Sequence, residues 1–305
     1  MTAILLALAP IFLLIVCGYG IRRSKLLAES FWGPADRLTF YVLFPSLLLY
    51  RTSTADLAGL PLVHVIGALT GGITLGCLLV LAAHKRLGVD GPGYTSVLQG
   101  AIRPNVYVGL GAATALYGAP GTTMAAVAIA GMTPLVNTLS VVALTRHGDN
   151  QAHAGWVRVA KAVVTNPIIL AVVGGMVMNL VGLRLPPVIE PLLRILGQAA
   201  LPLALLSVGA GLDLAAARGA GRPVVAASAI KFLVLPLATW VICRAIGTDG
   251  LALTVAVLFA ALPSSSSGYI MARQLGGDHR MLANIITIQT IAAALTLPAT
   301  LLLVG

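Results

Sequence analysis

The sequence RPNVYVG occupies residues 103–109, in the middle of an apolar segment that is otherwise long enough to cross a membrane. A second such segment, near the C-terminus, contains LPSSSSG at residues 262–268, and its proline and glycine have the same spacing. Proline breaks a helix, and the backbone groups that it frees are tolerated in lipid only beside a buried polar cavity. Paired breaks in two halves of one chain are typical of a binding site near the membrane midplane.

The composition indicates an integral membrane protein. Hydrophobic residues make up 58% of the 305 residues and charged residues only 9%, which leaves more apolar surface than one soluble core can bury. Apolar stretches of about 20 residues alternate with short polar links. The sequence therefore predicts an all-α integral membrane protein with ten transmembrane helices, at 3–21, 35–50, 60–83, 94–117, 120–145, 163–183, 190–213, 223–246, 250–272 and 281–304.

Prolines and glycines match in order between the two halves of the chain. The matched pairs are Pro10 with Pro167, Gly18 with Gly175, Pro45 with Pro202 and, after a shift two residues longer, Pro104 with Pro263. This pattern predicts a duplicated five-helix unit, with repeats at 1–145 and 163–305 and a cytoplasmic linker at 146–162. Because five is odd, the second repeat enters the membrane from the opposite side, which gives a 5+5 inverted repeat.

The formal net charge of +10 follows membrane topology rather than a nucleic-acid-binding face. Thirteen lysines and arginines fall in the loops after odd-numbered spans, and only four fall in the loops after even-numbered spans. Positively charged loops stay in the cytoplasm. We therefore expect a multi-pass protein of the inner (plasma) membrane with both termini outside the cytoplasm, and no nucleic-acid partner.

Two basic residues, Arg103 and Lys231, fall within spans. Each lies about nine residues from the cytoplasmic end of its span, roughly 13 Å deep in a hydrocarbon core of about 30 Å. A charge at that depth costs at least about 2.5 kcal/mol, and the nine acidic residues fall in or near loops. A buried cation without an acidic partner favours an anionic ligand. The alternative is that the cations hydrogen-bond to carbonyls freed by the breaks, and for Lys231 we favour this structural role.

The residue after each break begins a half-helix whose free N–H groups carry partial positive charge. Asn105 and the serines at 264–267 stand at these starts, where their side chains cap the helix or bind a carboxylate. Tyr107 is placed to flank the cavity, although we favour core packing as its role.

Three intramembrane amides, Asn137, Asn284 and Gln289, serve either a ligand or interhelical hydrogen bonds, and we favour the structural role. The predicted substrate-binding residues are Arg103, Pro104, Asn105, Tyr107, Asn137, Lys231, Pro263, Ser264, Ser265 and Ser266.

Motifs for catalysis, metals and cofactors are absent from the sequence. The three cysteines, Cys17, Cys77 and Cys243, have no metal-binding spacing. A serine–lysine dyad between Lys231 and the serines at 264–267 is conceivable on paper, but nothing in the sequence brings them together. We predict no enzymatic activity, no catalytic residues, no metal site and no cofactor, and we leave open whether Na⁺ or H⁺ couples to the function.

The motifs around both breaks resemble those of the auxin efflux carrier family, which includes the plant PIN carriers and bacterial transporters described as malonate or malate permeases. The resemblance covers nearly the whole chain, and its most specific parts are Pro104-Asn105 followed by Gly109 and Tyr117-Gly118, and Ala261-Leu262-Pro263 followed by Ala272-Arg273. It implies that broken helices 4 and 9 cross, that a scaffold domain lies beside a moving transport domain, and often that two copies form a homodimer.

The resemblance also implies that the crossover at Pro104/Asn105 and Pro263/Ser264 holds a substrate carboxylate. The chain lacks the long cytoplasmic loop of many plant members, as a short bacterial form does. Arg103 departs from the plant pattern and favours a small, strongly anionic substrate.

These observations predict a secondary transporter for a small organic anion, either a mono- or dicarboxylate like malonate or malate or an auxin-like weak acid. Elevator or rocking motion of one domain gives alternating access, and the expected partners are the anion, the lipid bilayer and a second copy of the chain. Two alternatives stay open. One is a cation/proton antiporter of related fold, which normally uses buried acidic residues, and the other is a non-transporting membrane receptor or partner subunit.

Overall fold

The computed structural model describes residues 2–57, 60–149, 160–161, 164–215 and 221–304. The helices are α1 (Thr2–Arg23), α2 (Trp32–Leu38), α3 (Phe44–Ser53), α4 (Leu62–Leu87), α5 (Gly91–Ile102), α6 (Val106–His147), α7 (Pro167–Leu180), α8 (Ile189–Ala210), α9 (Arg222–Ala229), α10 (Leu235–Ala245), α11 (Gly250–Ala260), α12 (Ser266–Leu275) and α13 (His279–Val304). Short π-helical turns at Thr39–Leu43 and Ile230–Val234 join α2 to α3 and α9 to α10. No β-strand occurs in these ranges.

Several helices are long and apolar enough to cross a membrane. Six such segments lie in the described ranges: Thr2–Arg23, Leu62–Leu87, Val106–His147, Ile189–Ala210, Arg222–Ala245 and His279–Val304. Two shorter apolar helices accompany them, Pro167–Leu180 and Gly250–Ala260. Large apolar side chains point outward, among them Leu6, Leu13 and Val16 of α1, as lipid contact requires. The prediction of an all-helical, multi-pass membrane protein is confirmed.

The described helices divide some of the predicted spans. The segment at 94–117 is split between α5 and the first part of α6, and the segment at 250–272 is split between α11 and α12. Within α6, Gly118 adopts φ 59° and ψ −140°, a conformation that favours glycine, and so separates two helical parts. Most of the predicted linker at 146–162 lies outside the described residues.

The helices pack in two groups. Helices α1, α3, α7 and α8 contact one another, and α1 approaches α8 so closely that a Cβ atom on Gly18 or Gly209 would overlap the backbone of the facing helix. Helices α4, α5, α9, α10, α11, α12 and α13 form the second group, and α6 contacts members of both. Both breaks belong to the second group, where they lie beside each other.

Candidate functional site at the paired helix breaks

The two breaks contact each other directly. The backbone N–H of Asn105 donates a hydrogen bond to the carbonyl of Pro263, with an N···O distance of 2.7 Å, and Pro104 and Ser264 form an isolated antiparallel bridge. Proline disfavours a helical conformation in the residue before it, and Arg103 is extended, with φ −86° and ψ 111°. Helices α5 and α11 therefore end at this junction, and α6 and α12 begin beside it.

Asn105 caps the start of α6. Its side-chain oxygen accepts hydrogen bonds from the N–H groups of Tyr107 at 3.2 Å and Val108 at 3.3 Å. The side chain is 1% exposed, and its Nδ2 atom has no hydrogen-bond partner among the described residues. An amide nitrogen that is buried without an acceptor is costly, so this atom favours a ligand oxygen.

Ser265, rather than Ser264, caps the start of α12. The Ser265 hydroxyl accepts a hydrogen bond from the N–H of Ser267 at 3.4 Å, and the two hydroxyls lie 3.0 Å apart. Ser264 is fully buried, and its hydroxyl donates to the carbonyl of Gln99 at 3.4 Å. Ser266 is the first residue of α12 and is half-buried. The serine run thus serves both the crossing of the breaks and the helix start.

Gln289 of α13 holds the second break in place. Its side-chain oxygen accepts from the N–H of Ser264 at 2.9 Å, and its Nε2 donates to the carbonyl of Gly100 at 3.1 Å. Nε2 also lies 3.4 Å from the hydroxyl of Ser228. Gln289 therefore links α5, α9 and the break before α12, which is a structural role.

Arg103 is buried, with 6% of its surface exposed. Its guanidinium donates to the hydroxyl of Ser267 at 3.2 Å and to the side-chain oxygen of Asn137 at 3.0 Å, and it contacts the sulfur of Met271 at 3.7 Å. Its Nε has no partner among the described residues. The protein atoms that contact this cation are neutral, so its charge is solvated by dipoles but not neutralised.

Acidic partners are scarce in this part of the fold. In the described ranges, the salt bridge that forms joins Arg22 to Glu29, at the end of α1 and far along the chain from the breaks. No group of three histidine, cysteine, aspartate or glutamate side chains there is placed to bind a metal ion. The described side chains at the junction are thus one guanidinium and neutral polar groups.

Gln99 is a candidate site residue that the sequence interpretation missed. It is fully buried one helical turn before Arg103, and neither its Oε1 nor its Nε2 has a hydrogen-bond partner among the described residues. It also faces α12, since a Cβ atom on Gly268 would lie 3.4 Å from Oε1 and 3.2 Å from Cδ of Arg103. The spacing of four residues, which puts two side chains on one helix face, is the signal that finds it.

Lys231 lies near the first break, close enough for electrostatic repulsion by Arg103. It is fully buried in the π-helical turn between α9 and α10, and its Nζ has no hydrogen-bond partner in the described ranges. It shares a small internal space with Ile102 and Pro104 at the first break and with Phe259 and Ala260 near the second. Lys231 therefore lies near the ends of α5 and α11 rather than the starts of α6 and α12.

The remaining predicted residues have mainly structural contacts. The ring of Tyr107 packs on Phe44 of α3, with centroids 4.7 Å apart. Near this pair, the half-buried carboxylate of Asp36 lies beside the hydroxyl of Ser207 on α8. Asn137 is half-buried and holds Arg103. Tyr107 thus links the breaks to the group formed by α1, α3, α7 and α8.

A cavity of about 600 Å³ lies beside α12 and is lined by Tyr269 of that helix. It lies between the end of α8 and the starts of α9 and α13, and its lining includes Asp213, Tyr269, Asp278 and Asn284. Tyr269 follows Ser265 by about one turn of helix, so the wall that Tyr269 forms lies about one turn from the start of α12. The loops around it are those that the charge pattern assigns to the cytoplasm.

Comparisons with known proteins indicate the class of protein. Residues 155–301 match the family described as membrane transport protein. An uncharacterized transporter from Methanothermobacter thermautotrophicus is 26% identical over 292 residues, which cover 94% of this chain and 94% of that protein. With the apolar helices, these matches indicate a membrane transporter.

These matches confirm the family resemblance that the sequence motifs indicated. The match to the membrane transport protein family and the relative that covers nearly the whole chain are both consistent with a short form of the auxin efflux carrier family. The motifs quoted for that resemblance surround the two breaks, where the structure brings Pro104 next to Ser264.

Proposed function

We propose that the protein is a secondary transporter that carries a small organic anion across the inner membrane by alternating access. The observation that carries this proposal is the junction itself, where two half-helices begin beside a buried Arg103 that has neutral contacts. A mono- or dicarboxylate of the size of malonate or malate suits one guanidinium and a few amide donors. A larger auxin-like weak acid is the other member of the class.

The donors around the junction are suited to a carboxylate. Asn105 offers Nδ2, Arg103 offers Nε, and Gln99 offers its Nε2, all buried and without protein acceptors in the described ranges. A charge-assisted hydrogen bond is roughly twice as strong as a neutral one. An anion at a helix start gains about 0.3–1 kcal/mol more, and up to about 2 kcal/mol where the site is buried. Together these terms offset the cost of dehydrating a small carboxylate.

The transport cycle requires two bodies that move relative to each other. We propose the ten-helix, 5+5 inverted repeat, with the group formed by α1, α3, α7 and α8 as the scaffold and the group that carries the breaks as the transport domain. The close glycine contacts between α1 and α8 support a rigid scaffold. Tyr107 against Phe44 is one of the contacts that an elevator or rocking motion would exchange.

The cavity supports a conformation that is open to the cytoplasm. Its mouth lies near Asp213 and Asp278, in loops on the side that carries the excess of lysine and arginine. A substrate that enters there reaches Tyr269 and then the start of α12. We propose that the cavity is the inward-facing path to the junction.

A second candidate is a cation/proton antiporter, which one observation favours. Asp36 is a half-buried carboxylate that lies beside Ser207 and near Tyr107, between α2, α8 and α6. Antiport would make a pulse of Na⁺ or K⁺ dissipate a pH gradient across proteoliposomes without any organic anion, and Asp36→Asn would abolish this response. Organic-anion transport predicts no such response.

Binding and flux of carboxylates test the proposal. Purified protein is heated with malonate, malate or indole-3-acetate, and uptake of the stabilising compound is then measured in proteoliposomes. We expect saturable stabilisation and uptake in the wild type, and loss of both in Arg103→Ala. The exposed Arg244 supplies the control, because Arg244→Ala removes the same charge away from the junction. If no carboxylate stabilises or enters the wild type, or if Arg103→Ala behaves like the control, the proposal is wrong.

A further inference from the structure

Lys231 is a buried basic residue that the proposed anion site does not use. Its side chain is 0% exposed, and its Nζ has no hydrogen-bond partner among the described residues. In that part of the chain, the charged group that acts on it is Arg103, which repels an ammonium. An ammonium that is buried without an acceptor or an opposite charge is so costly that such a group commonly gives up its proton. The surroundings of Lys231 therefore favour a neutral amine.

The helices packed around Lys231 supply mainly apolar atoms. Its π-helical turn contacts α4, α5, α9 and α10. The internal space beside it is lined by apolar side chains that include Leu69 of α4, Ile102 of α5 and Leu235 of α10. Thr239 of α10 adds a hydroxyl, and its Oγ1 has no hydrogen-bond partner in the described ranges either.

The titratable residues of these four helices do not line the space. They are His64, Cys77, His84, Lys85 and Arg86 of α4, Tyr94 of α5, Arg222 of α9, and Cys243 and Arg244 of α10. The four helices and the π-helical turn contain no aspartate or glutamate. Arg103, which follows α5 directly, is thus the charge that a proton on Lys231 would meet.

Of the two buried basic side chains, Arg103 keeps its charge. A guanidinium is not deprotonated in proteins, and this one donates hydrogen bonds to the hydroxyl of Ser267 and the side-chain oxygen of Asn137. A carboxylate that binds Arg103 neutralises it and so removes the repulsion on Lys231. An anion and a proton therefore favour each other's binding, and the coupling between two binding events is reciprocal.

We propose that Lys231 is a proton-binding site that is neutral in the anion-free protein and takes up one proton from water when a carboxylate binds at Arg103. The proton adds to the lone pair of Nζ and leaves with the anion on the other side of the membrane, so each anion is carried with one proton. This coupling rests on the proposed function, whereas the neutral state of Lys231 in the anion-free protein does not.

Unfolding without any anion tests the neutral state. An unfolded lysine has a pKa of about 10.4, so a neutral Lys231 gains a proton on unfolding at lower pH. The unfolding constant of the wild type, relative to that of Lys231→Met, should then fall about tenfold per pH unit from about pH 8 to about pH 9.5. Denaturant unfolding in detergent measures this ratio. Lys85→Met is the control, because Lys85 is exposed at the end of α4, and its ratio to the wild type should not change with pH.

Calorimetry tests the coupling. Binding is measured in buffers of different ionisation enthalpy at a mildly alkaline pH, where malonate, malate and indole-3-acetate are ionised in solution. The dependence on the buffer gives the number of protons taken up with each anion. We expect about one proton for the wild type and for Lys85→Met, and none for Lys231→Met. Lys231→Arg has a permanent charge, so it should bind the anion without taking up a proton.

Three results would overturn the proposal. They are unfolding constants of the wild type and Lys231→Met that change in parallel with pH, a wild type that binds a carboxylate without proton uptake, or a Lys231→Arg variant that takes up as many protons as the wild type. Lys231→Gln replaces Lys231→Met if the latter does not fold. If no carboxylate binds the wild type, the proposed function and the coupling fail together, and the unfolding ratio still decides whether Lys231 is neutral.

Discussion

The break at 103–105 and the break at 262–265 share a backbone design but differ in their side chains. Each has a proline, an extended residue and a polar cap, and the two are joined by the hydrogen bond from Asn105 to Pro263. The first break carries a buried cation and an amide nitrogen without a partner, whereas the second is tied by Gln289 and by serines that bond to one another. We propose that the first break serves mainly in binding and the second mainly in support.

The largest effect is expected at Arg103, which has no charged counterpart at the second break. Arg103→Ala removes the cation, and we expect carboxylate affinity to fall at least about thirtyfold, or about 2 kcal/mol. Arg103→Lys keeps the charge but loses the planar fork, so its affinity should be intermediate. Titration calorimetry on the two variants measures both values, and equal affinity for wild type and Arg103→Ala would contradict the charge asymmetry.

Substitutions at two glutamines are expected to affect anion affinity and folding stability separately. Gln289→Leu leaves the Ser264 N–H and the Gly100 carbonyl without a partner, so we expect the free energy of unfolding to fall by about 2–4 kcal/mol while the folded protein keeps its anion affinity. Gln99→Leu removes an amide that has no protein partner in the described ranges, so stability changes little and anion affinity falls.

Denaturant unfolding and calorimetry on the same preparations measure this pair. A reversed pattern, with Gln99→Leu unstable and Gln289→Leu defective in binding, would exchange the roles assigned to the two side chains.

The two helix caps, Asn105 and Ser265, are expected to show a smaller difference in carboxylate binding. Asn105→Asp keeps a good cap acceptor but replaces Nδ2 by a negative oxygen, so the fold is retained and carboxylate affinity is expected to fall about tenfold or more. Ser265→Ala removes one cap bond and should cost about 1 kcal/mol of stability with a weaker effect on binding. Thermal unfolding with and without malonate measures both variants. Equal binding losses would mean that the second break contacts the anion as closely as the first.

The smallest effect on anion binding is expected at the matched glycines that follow the breaks. A Cβ atom on Gly109 would lie 2.4 Å from Leu262 Cδ1 and 3.0 Å from the Phe259 ring, so Gly109→Ala should destabilise by roughly 1–3 kcal/mol. At Gly268 the nearest atom is Arg103 Cδ at 3.2 Å, so Gly268→Ala should displace Arg103 slightly and weaken anion binding a few-fold. Unfolding and binding curves measure the two, and a large stability loss in Gly268→Ala would contradict the assignment.

The helical membrane character and the two breaks were predictable because each depends on local properties of the chain. The length of the apolar segments and the charge of the loops indicate membrane spans. Proline lacks a backbone N–H donor wherever it occurs, so it indicates a break in a helix. The π-helical turns at Thr39–Leu43 and Ile230–Val234 were not predictable, because such turns depend on how neighbouring helices pack. The orientation of Lys231 toward the ends of α5 and α11 depends on the second of these turns.

The site was predictable in type but not in each residue. Four consecutive serines have the same capping propensity, and only the contact of Ser264 with Gln289 of α13 decides that Ser265 is the cap. In the sequence, Gln99 does not differ from other intramembrane amides. Its burial close to Arg103 results from the crossing of the two breaks. Asp36 lies at the start of a predicted span, and its contact with Ser207 arises from tertiary packing.

Locating a bound anion tests the central claim most directly. The wild-type protein is crystallised with 5-bromoindole-3-acetate, whose aryl bromine is not displaced by thiols, and the bromine is located by its anomalous scattering. We predict a bromine peak at the junction, with the carboxylate within hydrogen-bonding distance of Asn105 and Arg103 and beside the start of α12. A peak elsewhere, for example near Asp278 at the mouth of the cavity, with none at the junction, would contradict the claim that the paired breaks form the anion site.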